Sequence, residues 1–199
     1  MRQHVTDAWV RQARAQGWRS RAAFKLLQID ARDGLLRPGA VVVDLGAAPG
    51  GWTQVAAQRV GASGRVVAVD LLEMAPVPGA TVLRGDFAGQ GVLEAVEQAL
   101  EGRTPDLVLS DMAPNLTGIA GVDQARACAL CELAVEFAVT HLAPRGALLM
   151  KVFHGEGFDG LMRQLRGAFS QVAVRKPEAS RDRSSETYVV ARGPRSGAG

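Results

Sequence analysis

Lysine is scarce in this chain: of its 23 basic residues only Lys25, Lys151 and Lys176 are lysines. Cysteine is scarcer, with two among 199 residues. No segment reaches the roughly 18 uninterrupted apolar residues of a membrane helix, and the opening "MRQHVTDAWVRQARAQGW" has no apolar stretch long enough for a secretory signal. A cytoplasmic protein without membrane contact is expected. Cys128 and Cys131 stand in "ARACALCELAVEF", an alanine-rich helical pattern with no second Cys or His nearby. One CxxC supplies half a zinc site, so both cysteines read as small hydrophobes packed on a helix and no metal is expected. Nor is there an exposed apolar repeat to build an oligomer, and a monomer is expected.

What is present is unevenly distributed. The net charge is +3, but residues 1–37 carry eight basic against three acidic residues and 171–199 carry six against three. The two ends thus total +8 and the centre −5. If the fold brings the ends together, they form a basic surface suited to a polyanion. The alternative is solvated helix faces and a frayed tail.

Apolar runs alternate with amphipathic ones. Ser20 stands where a cap would open a helix through "RAAFKLLQIDARD", with Gly34 as its stop. "AVVVDL", "GRVVAVDLL", "ATVLRGDF", "PDLVLSDMAP" and "ALLMKVF" read as strands. Between them "GWTQVAAQRVG", "GVLEAVEQALEG" and a long stretch from about Asp123 to Leu142 read as helices, and "FDGLMRQLRGAF" adds another. "QVAVRKP" and "ETYVVAR" close the chain as strands. This alternation predicts an α/β fold, an open and mostly parallel sheet covered by helices on both faces. With 199 residues it fits one domain over 1–192, its first 37 residues a basic helical region, with 193–199 a disordered tail.

In such sheets ligands bind beyond the carboxyl ends of the strands. Asp44, Asp70, Asp86, Asp111 and Lys151 all fall at or just past such an end. Behind the first strand, "GAAPGG" offers Gly46, Gly50 and Gly51, where a ligand approaches backbone without meeting a Cβ. A dinucleotide fingerprint needs glycine where Ala48 stands, and a P-loop needs a lysine that is missing. Asp70, 24 residues after Gly46, suits ribose hydroxyls, and Asp86 suits an adenine amino group. A nucleoside without pyrophosphate fits, and S-adenosylmethionine is the foremost candidate. Lys151, flanked by apolar residues in "LLMKVF", is placed to act as a base, which an arginine cannot do.

Five segments in order, "SRAAFKL", "VVDLGAAPGGW", "SDMAPN", "KVFHGEGFD" and "RKPEASRDRSSETYVVA", resemble the FtsJ/RrmJ-type ribosomal RNA 2′-O-methyltransferases of bacteria, collinearly from Ser20 to Ala191. The resemblance implies a Rossmann-like methyltransferase sheet of seven strands with its last strand antiparallel. It implies S-adenosylmethionine as donor, with S-adenosylhomocysteine as product. The implied target is a uridine 2′-hydroxyl in the A-loop of 23S ribosomal RNA, on the assembled or late-assembly large subunit. The family's Lys-Asp-Lys-Glu tetrad falls on Lys25, Asp111, Lys151 and Glu186, and its cofactor positions on Gly50, Trp52, Asp70, Asp86 and Asp111, beside Gly46. His154 reads as a tolerated variation. Lys151 is the expected proton acceptor, oriented by Asp111, with Lys25 and Glu186 positioning the ribose or tuning the base. An ordinary ion-pair network is the plainer reading of the four.

RNA contacts are expected from Arg19 and Arg21, near Arg11 and Arg14, and from Arg175, Lys176, Arg181 and Arg183 on the other rim. Trp9 and Trp18 either stack on an unpaired base or pack the first helix. A transfer-RNA 2′-O-methyltransferase shares every motif quoted. A non-catalytic ribosome-assembly factor is the reading from a different functional class, and the complete tetrad speaks against it.

Overall fold

The computed structural model describes residues 8–115, 117–180 and 185–195. Two helices, α1 (Ala8–Ala15) and α2 (Ala22–Asp33), precede the first strand, β1 (Val41–Leu45), whose five residues are all buried. There follow α3 (Gly51–Val60), β2 (Arg65–Asp70), β3 (Thr81–Arg84), α4 (Gln90–Leu100) and β4 (Leu107–Ser110). The second half holds α5 (Ala120–His141), β5 (Ala147–Phe153), α6 (Phe158–Ala168), β6 (Phe169–Arg175) and β7 (Glu186–Pro194).

The seven strands form one sheet in the order β3-β2-β1-β4-β5-β7-β6. β1 to β5 pair in parallel, and β7 runs antiparallel between β5 and β6. The parallel strands are near-continuous apolar runs because both faces are covered. On one face α2 and α3 pack Leu26, Ile29, Trp52 and Val55 against Val42, Leu107, Leu149 and Tyr188. On the other, α4, α5 and α6 pack Val96, Phe137 and Leu165 against Val43, Val108 and Met150. Strand order reverses between β1 and β4, and the crevice beyond their carboxyl ends is where such a sheet binds ligands.

Element boundaries differ from expectation in instructive places. Ser20 does not cap α2: the residue before the helix is Arg21, in helical conformation, with no side-chain cap hydrogen bond. The Ser20 hydroxyl points instead at Gly51, where a Cβ would overlap it. Gly34 does end α2, left-handed at φ 59°, donating to Asp30 O. α5 begins at Ala120, a turn before Asp123, because Asp123 accepts from Thr117 N, Thr117 Oγ1 and Gly118 N and folds the preceding loop onto the helix. At the C-terminus, Gly193 and Pro194 belong to β7 rather than to a tail, since Pro194 pairs with Phe169 and Arg195 N donates to Ala168 O. Residues 196–199 lie outside the described residues. No helix among the described residues is long and apolar enough to cross a membrane.

Cys131 is buried on α5, and burial pushes its thiol up to about 12. Cys128 is partly exposed, and both thiols are free. Trp9 packs against Phe24 at 5.2 Å between ring centroids, and Trp9 and Trp18 both lie against the small core of Ala13, Phe24 and Ala179. The packing reading of these tryptophans therefore holds for the folded chain.

Candidate active site

The loop after β1 is shaped by close approaches. Gly46 (φ 70°) lies against Met112, so that a Cβ there would overlap Met112 Cγ and crowd its backbone. This contact closes the crevice between β1 and β4. Gly50 (φ 102°) precedes α3 in the left-handed region, where a side chain would meet Arg19 and Met74. The amides of Gly46 and Ala47 both donate to Val69 O, at 2.9 and 3.1 Å. Ala48 N donates to Asp70 Oδ2 at 2.9 Å. The loop is thus fastened to the end of β2, and the first-turn amides of α3, which have no intrahelical partner, sit directly behind it.

A cleft of about 310 Å³ opens over this loop, lined by Gly46, Ala48, Asp70, Asp86, Phe87, Asp111, Met112 and Leu133 among others. That volume lies at the small end of ligand sites. Asp70 is held by two amides, Ala48 N on Oδ2 and Leu72 N on Oδ1, and each oxygen keeps a second lone pair for a hydroxyl. Asp86 is exposed and its Oδ1 accepts from Ala88 N. Gly50 and Trp52, both expected at the cofactor, do not line this cleft, although Trp52 borders the small cavity behind the loop. The Trp52 ring is 2% exposed, donates from Nε1 to Ala22 O, and packs on Tyr188 at 5.7 Å. The ring does not line the cleft; at the start of α3 only its backbone faces the loop.

Beneath the loop Asp44 is fully buried. Its Oδ2 accepts from Thr53 Oγ1 at 2.6 Å, and its Oδ1 has no partner among the described residues. Burial raises its pKa to about 7 against the lowering effect of Thr53, with the charges of Asp111 and Asp70 pushing the same way as burial. Asp44 and Ser20 line a second cavity of about 30 Å³ between the glycine loop and Asp111. Four carboxyl groups, Asp44, Asp70, Asp86 and Asp111, therefore surround one loop, with Asp111 paired to Lys151 and Asp44 pushed towards its neutral form by burial. Such a site favours a cationic ligand.

Lys25, Asp111, Lys151 and Glu186 come together from α2, the end of β4, β5 and the start of β7. Lys151 is 9% exposed; its Nζ donates to Asp111 O at 2.7 Å and lies 3.2 Å from Asp111 Oδ1. Lys25, 5% exposed, pairs through Nζ with Glu186 Oε1 and donates to Tyr188 OH at 3.0 Å. Tyr188 OH in turn donates to Asp111 Oδ1 at 3.1 Å. One continuous chain of hydrogen bonds thus runs from Glu186 through Lys25, Tyr188 and Asp111 to Lys151. Burial works against the charged form of Glu186, but the Lys25 hydrogen bond and charge outweigh it and hold the carboxyl below its usual range. Burial, with Asp111 and Glu186 nearby, pushes the Tyr188 phenol far up, so it stays a neutral donor.

Sequence reasoning missed Tyr188. A signal existed: it is the only tyrosine of the chain, and it lies two residues beyond Glu186 on the same face of a strand. In the sheet it stands opposite Lys151.

The expected RNA-contacting residues divide. Arg19 donates to the carbonyls of Pro49, Ala75 and Pro76, strapping the glycine loop to the segment after β2. Arg175 makes a two-pronged pair with Asp33, at 2.7 and 2.6 Å, that ties β6 to α2 and raises the guanidinium pKa. Both guanidinium groups are engaged inside the protein, a pairing that spacing along the chain does not reveal. Lys176 Nζ donates to Glu186 O. Arg21 is half-buried, close enough for its charge to act on Tyr188. Arg181 and Arg183 lie outside the described residues. Arg11 and Arg14 are exposed on α1.

Known proteins resemble this chain along nearly its whole length. The model of the family described as FtsJ-like methyltransferase matches residues 18–194. The ribosomal RNA large subunit methyltransferase E of Halorhodospira halophila is 62% identical over 191 residues, covering 96% of this chain and 90% of that protein. Its counterpart in an Azoarcus species is 59% identical over 190 residues, covering 96% and 93%. Among solved structures, a ribosomal RNA methyltransferase of Plasmodium falciparum superposes with a TM-score of 0.78 at 25% identity, covering 89% of this chain and 98% of that one. With the glycine loop, the acid-lined cleft and the two buried lysines all inside the matched span, the chain belongs to the FtsJ-like methyltransferase family.

Proposed function

We propose that this chain transfers a methyl group from S-adenosylmethionine to the 2′-hydroxyl of a uridine in the A-loop of 23S ribosomal RNA. It acts as a monomer on the assembled or late-assembly large subunit. The observation that carries the reading is the pair of Asp111 oxygens on Lys151 Nζ. A neutral amine has two N–H bonds and one lone pair. Nζ donates to Asp111 O and lies 3.2 Å from Asp111 Oδ1, which anchors the amine so that, once it has given up its proton, its lone pair can face an incoming hydroxyl. The convergence of Lys25, Asp111, Lys151 and Glu186 from four separate elements beside an acid-lined cleft supports a reacting group here more than an isolated surface ion pair.

S-adenosylmethionine, when bound, supplies an electrophilic methyl carbon on a sulfonium and leaves as S-adenosylhomocysteine. The site's own residues fit it: Asp70 offers its lone pairs to ribose hydroxyls, Asp86 lines the cleft where a base would lie, and the Asp70 and Asp86 carboxyl groups suit a cationic ligand. Gly46 and Gly50 let Met112, Arg19 and Met74 pack against the loop where a Cβ would overlap them, which fixes the loop's shape at the edge of the cleft. The 2′-oxygen forms its bond to the methyl carbon as its proton passes to Lys151 Nζ, a transfer of the kind that contributes about 10²–10⁴-fold. Asp111 holds the amine in line, and Lys25, fixed by Glu186 and Tyr188, places a buried positive charge near the reacting oxygen. The RNA backbone meets exposed basic residues, with Arg11 and Arg14 on α1 on one side.

Lys151→Ala tests the assignment. Methyl transfer to large subunits from cells lacking this protein falls by at least about 100-fold, while cofactor binding is retained. Near-wild-type transfer with intact cofactor binding would remove Lys151 from the reaction. Mapping the methyl group on the product separates a 2′-oxygen from a base nitrogen, and the same assay on transfer RNA separates the two RNA classes. A methyl-transfer-dead variant that still rescued subunit assembly would favour an assembly factor.

A further inference from the structure

The chain has six phenylalanines. Phe24, Phe87, Phe137, Phe158 and Phe169 each lie in or against one of the apolar cores. Phe153 does not: it is half-exposed and absent from every core cluster among the described residues. Nor does its ring contact another aromatic ring there, whereas its neighbour His154 packs on Phe158 at 4.3 Å. Phe153 is the last residue of β5, two beyond Lys151 and so on the same face, opposite Glu186 on β7. Its ring centroid lies 5.8 Å from Lys151 Nζ. Half-exposed and outside the apolar cores, the ring is held on a strand end within cation–π range of the Lys151 amine, at the mouth of the candidate active site.

We infer that Phe153 forms a nucleobase subsite, on which the base of the nucleotide being methylated stacks. The inference rests on the 2′-hydroxyl reading above. A hydroxyl on Lys151 Nζ stands about 2.8 Å from it, and the base hangs from C1′, the carbon next to the one that bears that hydroxyl. The hydroxyl then stands within a few ångströms of the ring, near enough for the attached base to reach it in van der Waals contact at about 3.5–4 Å. Sequence-tolerant stacking of single-stranded bases on aromatic faces is the common means of holding an unpaired nucleotide. Here it fixes the sugar as well, because base and 2′-oxygen are joined through two ring carbons. The base must leave its own stack to reach this site, so the target is unpaired or loosely paired when it reacts.

The test compares F153A, F153L and F153Y in the full chain, with unmethylated large subunits as substrate. Measured are kcat/KM, the Kd for S-adenosylmethionine, Tm, and the position of the methyl group. F153A and F153L lower kcat/KM by about 10-fold or more, mostly through KM, with the cofactor Kd and Tm unchanged. F153Y, which keeps the ring, stays within about 3-fold of wild type. Full activity in F153L would show that bulk and not a π-face is needed, and full activity in F153A would show that nothing is needed; either overturns the inference alone. A drop in cofactor affinity or Tm parallel to that in kcat/KM would assign Phe153 to scaffolding and overturn it too. Wild-type methylation at a base instead of the 2′-oxygen would overturn this inference together with the reading on which it rests.

Discussion

Replacing Tyr188 with phenylalanine removes one oxygen from the centre of the active-site chain and leaves the ring packed on Trp52. The lost hydroxyl accepts from Lys25 Nζ at 3.0 Å and donates to Asp111 Oδ1 at 3.1 Å. Each is a hydrogen bond to a charged partner, worth about 1.5–3 kcal/mol. The two losses do not add in full. The Lys25 side chain is 7% exposed and gains little water, but that of Asp111 is 21% exposed and recovers part of its solvation. Lys25 also keeps Glu186, and Asp111 keeps Lys151. A net destabilisation of about 2–3 kcal/mol follows, which for a chain of this length lowers Tm by about 4–10 °C. Asp111 Oδ1 then answers to Lys151 alone, so kcat falls by about 10-fold as the amine loses its fixed direction. Differential scanning calorimetry of the cofactor-free chain and single-turnover methyl transfer measure the two effects. A Tm within 1 °C of wild type would show that the Tyr188 bridge carries no net energy, and undiminished transfer would show that it does not position the Asp111–Lys151 pair.

Asp44→Asn removes a carboxyl whose pKa burial raises to about 7 from an ordinary 3.8. The folded acid holds its proton more tightly than the unfolded one. The wild type is therefore unpenalised below about pH 4 and loses stability as pH rises towards 7. The Tm of D44N relative to wild type should rise between about pH 5 and about pH 8, by the equivalent of about 2–3 kcal/mol, and a constant difference across thermal scans at several pH values would refute the buried-acid reading. Gly46→Ala places a Cβ against Met112 at φ 70°; calorimetric titration should show cofactor affinity reduced by about 10-fold or more, since the loop must shift by the width of a methyl group, and unaltered affinity would show that the crevice is not so tightly closed. Arg175→Ala strands Asp33, whose side chain is 9% exposed, and should lower stability by about 2–4 kcal/mol while leaving the salt dependence of RNA binding unchanged. An unchanged Tm with a shallower salt dependence would instead place Arg175 on the RNA surface.

Much of the site was legible because its residues sit at strand ends and carry unusual types. Three lysines among 23 basic residues drew attention to Lys25 and Lys151, and both are in the hydrogen-bonded cluster. The glycines of "GAAPGG" marked close approach, and Gly46 meets Met112. Less legible were residues whose chemistry depends on a partner distant in sequence. Arg19 and Arg175 look like surface cations along the chain, yet their donors point at Pro49, Ala75 and Pro76 in one case and at Asp33 in the other. Trp52 stands in a cofactor motif but turns its ring into the core, because the left-handed Gly50 reverses the chain as α3 begins.

The sequence by itself determined the α/β alternation and the glycine loop behind β1, and the family resemblance it carries placed the tetrad. Each is local or repeated: an apolar run buried on both faces, a glycine where a side chain cannot fit, an acid at the end of a strand. Tertiary structure alone decided which of these groups share protons. That Tyr188 links Lys25 to Asp111, that Lys151 donates to the Asp111 carbonyl beside its carboxylate, and that Phe153 lies outside the apolar cores all follow from the antiparallel register of β7 on β5 and from α2 lying across them. Those contacts join residues up to 163 positions apart, and no periodicity along the chain encodes them.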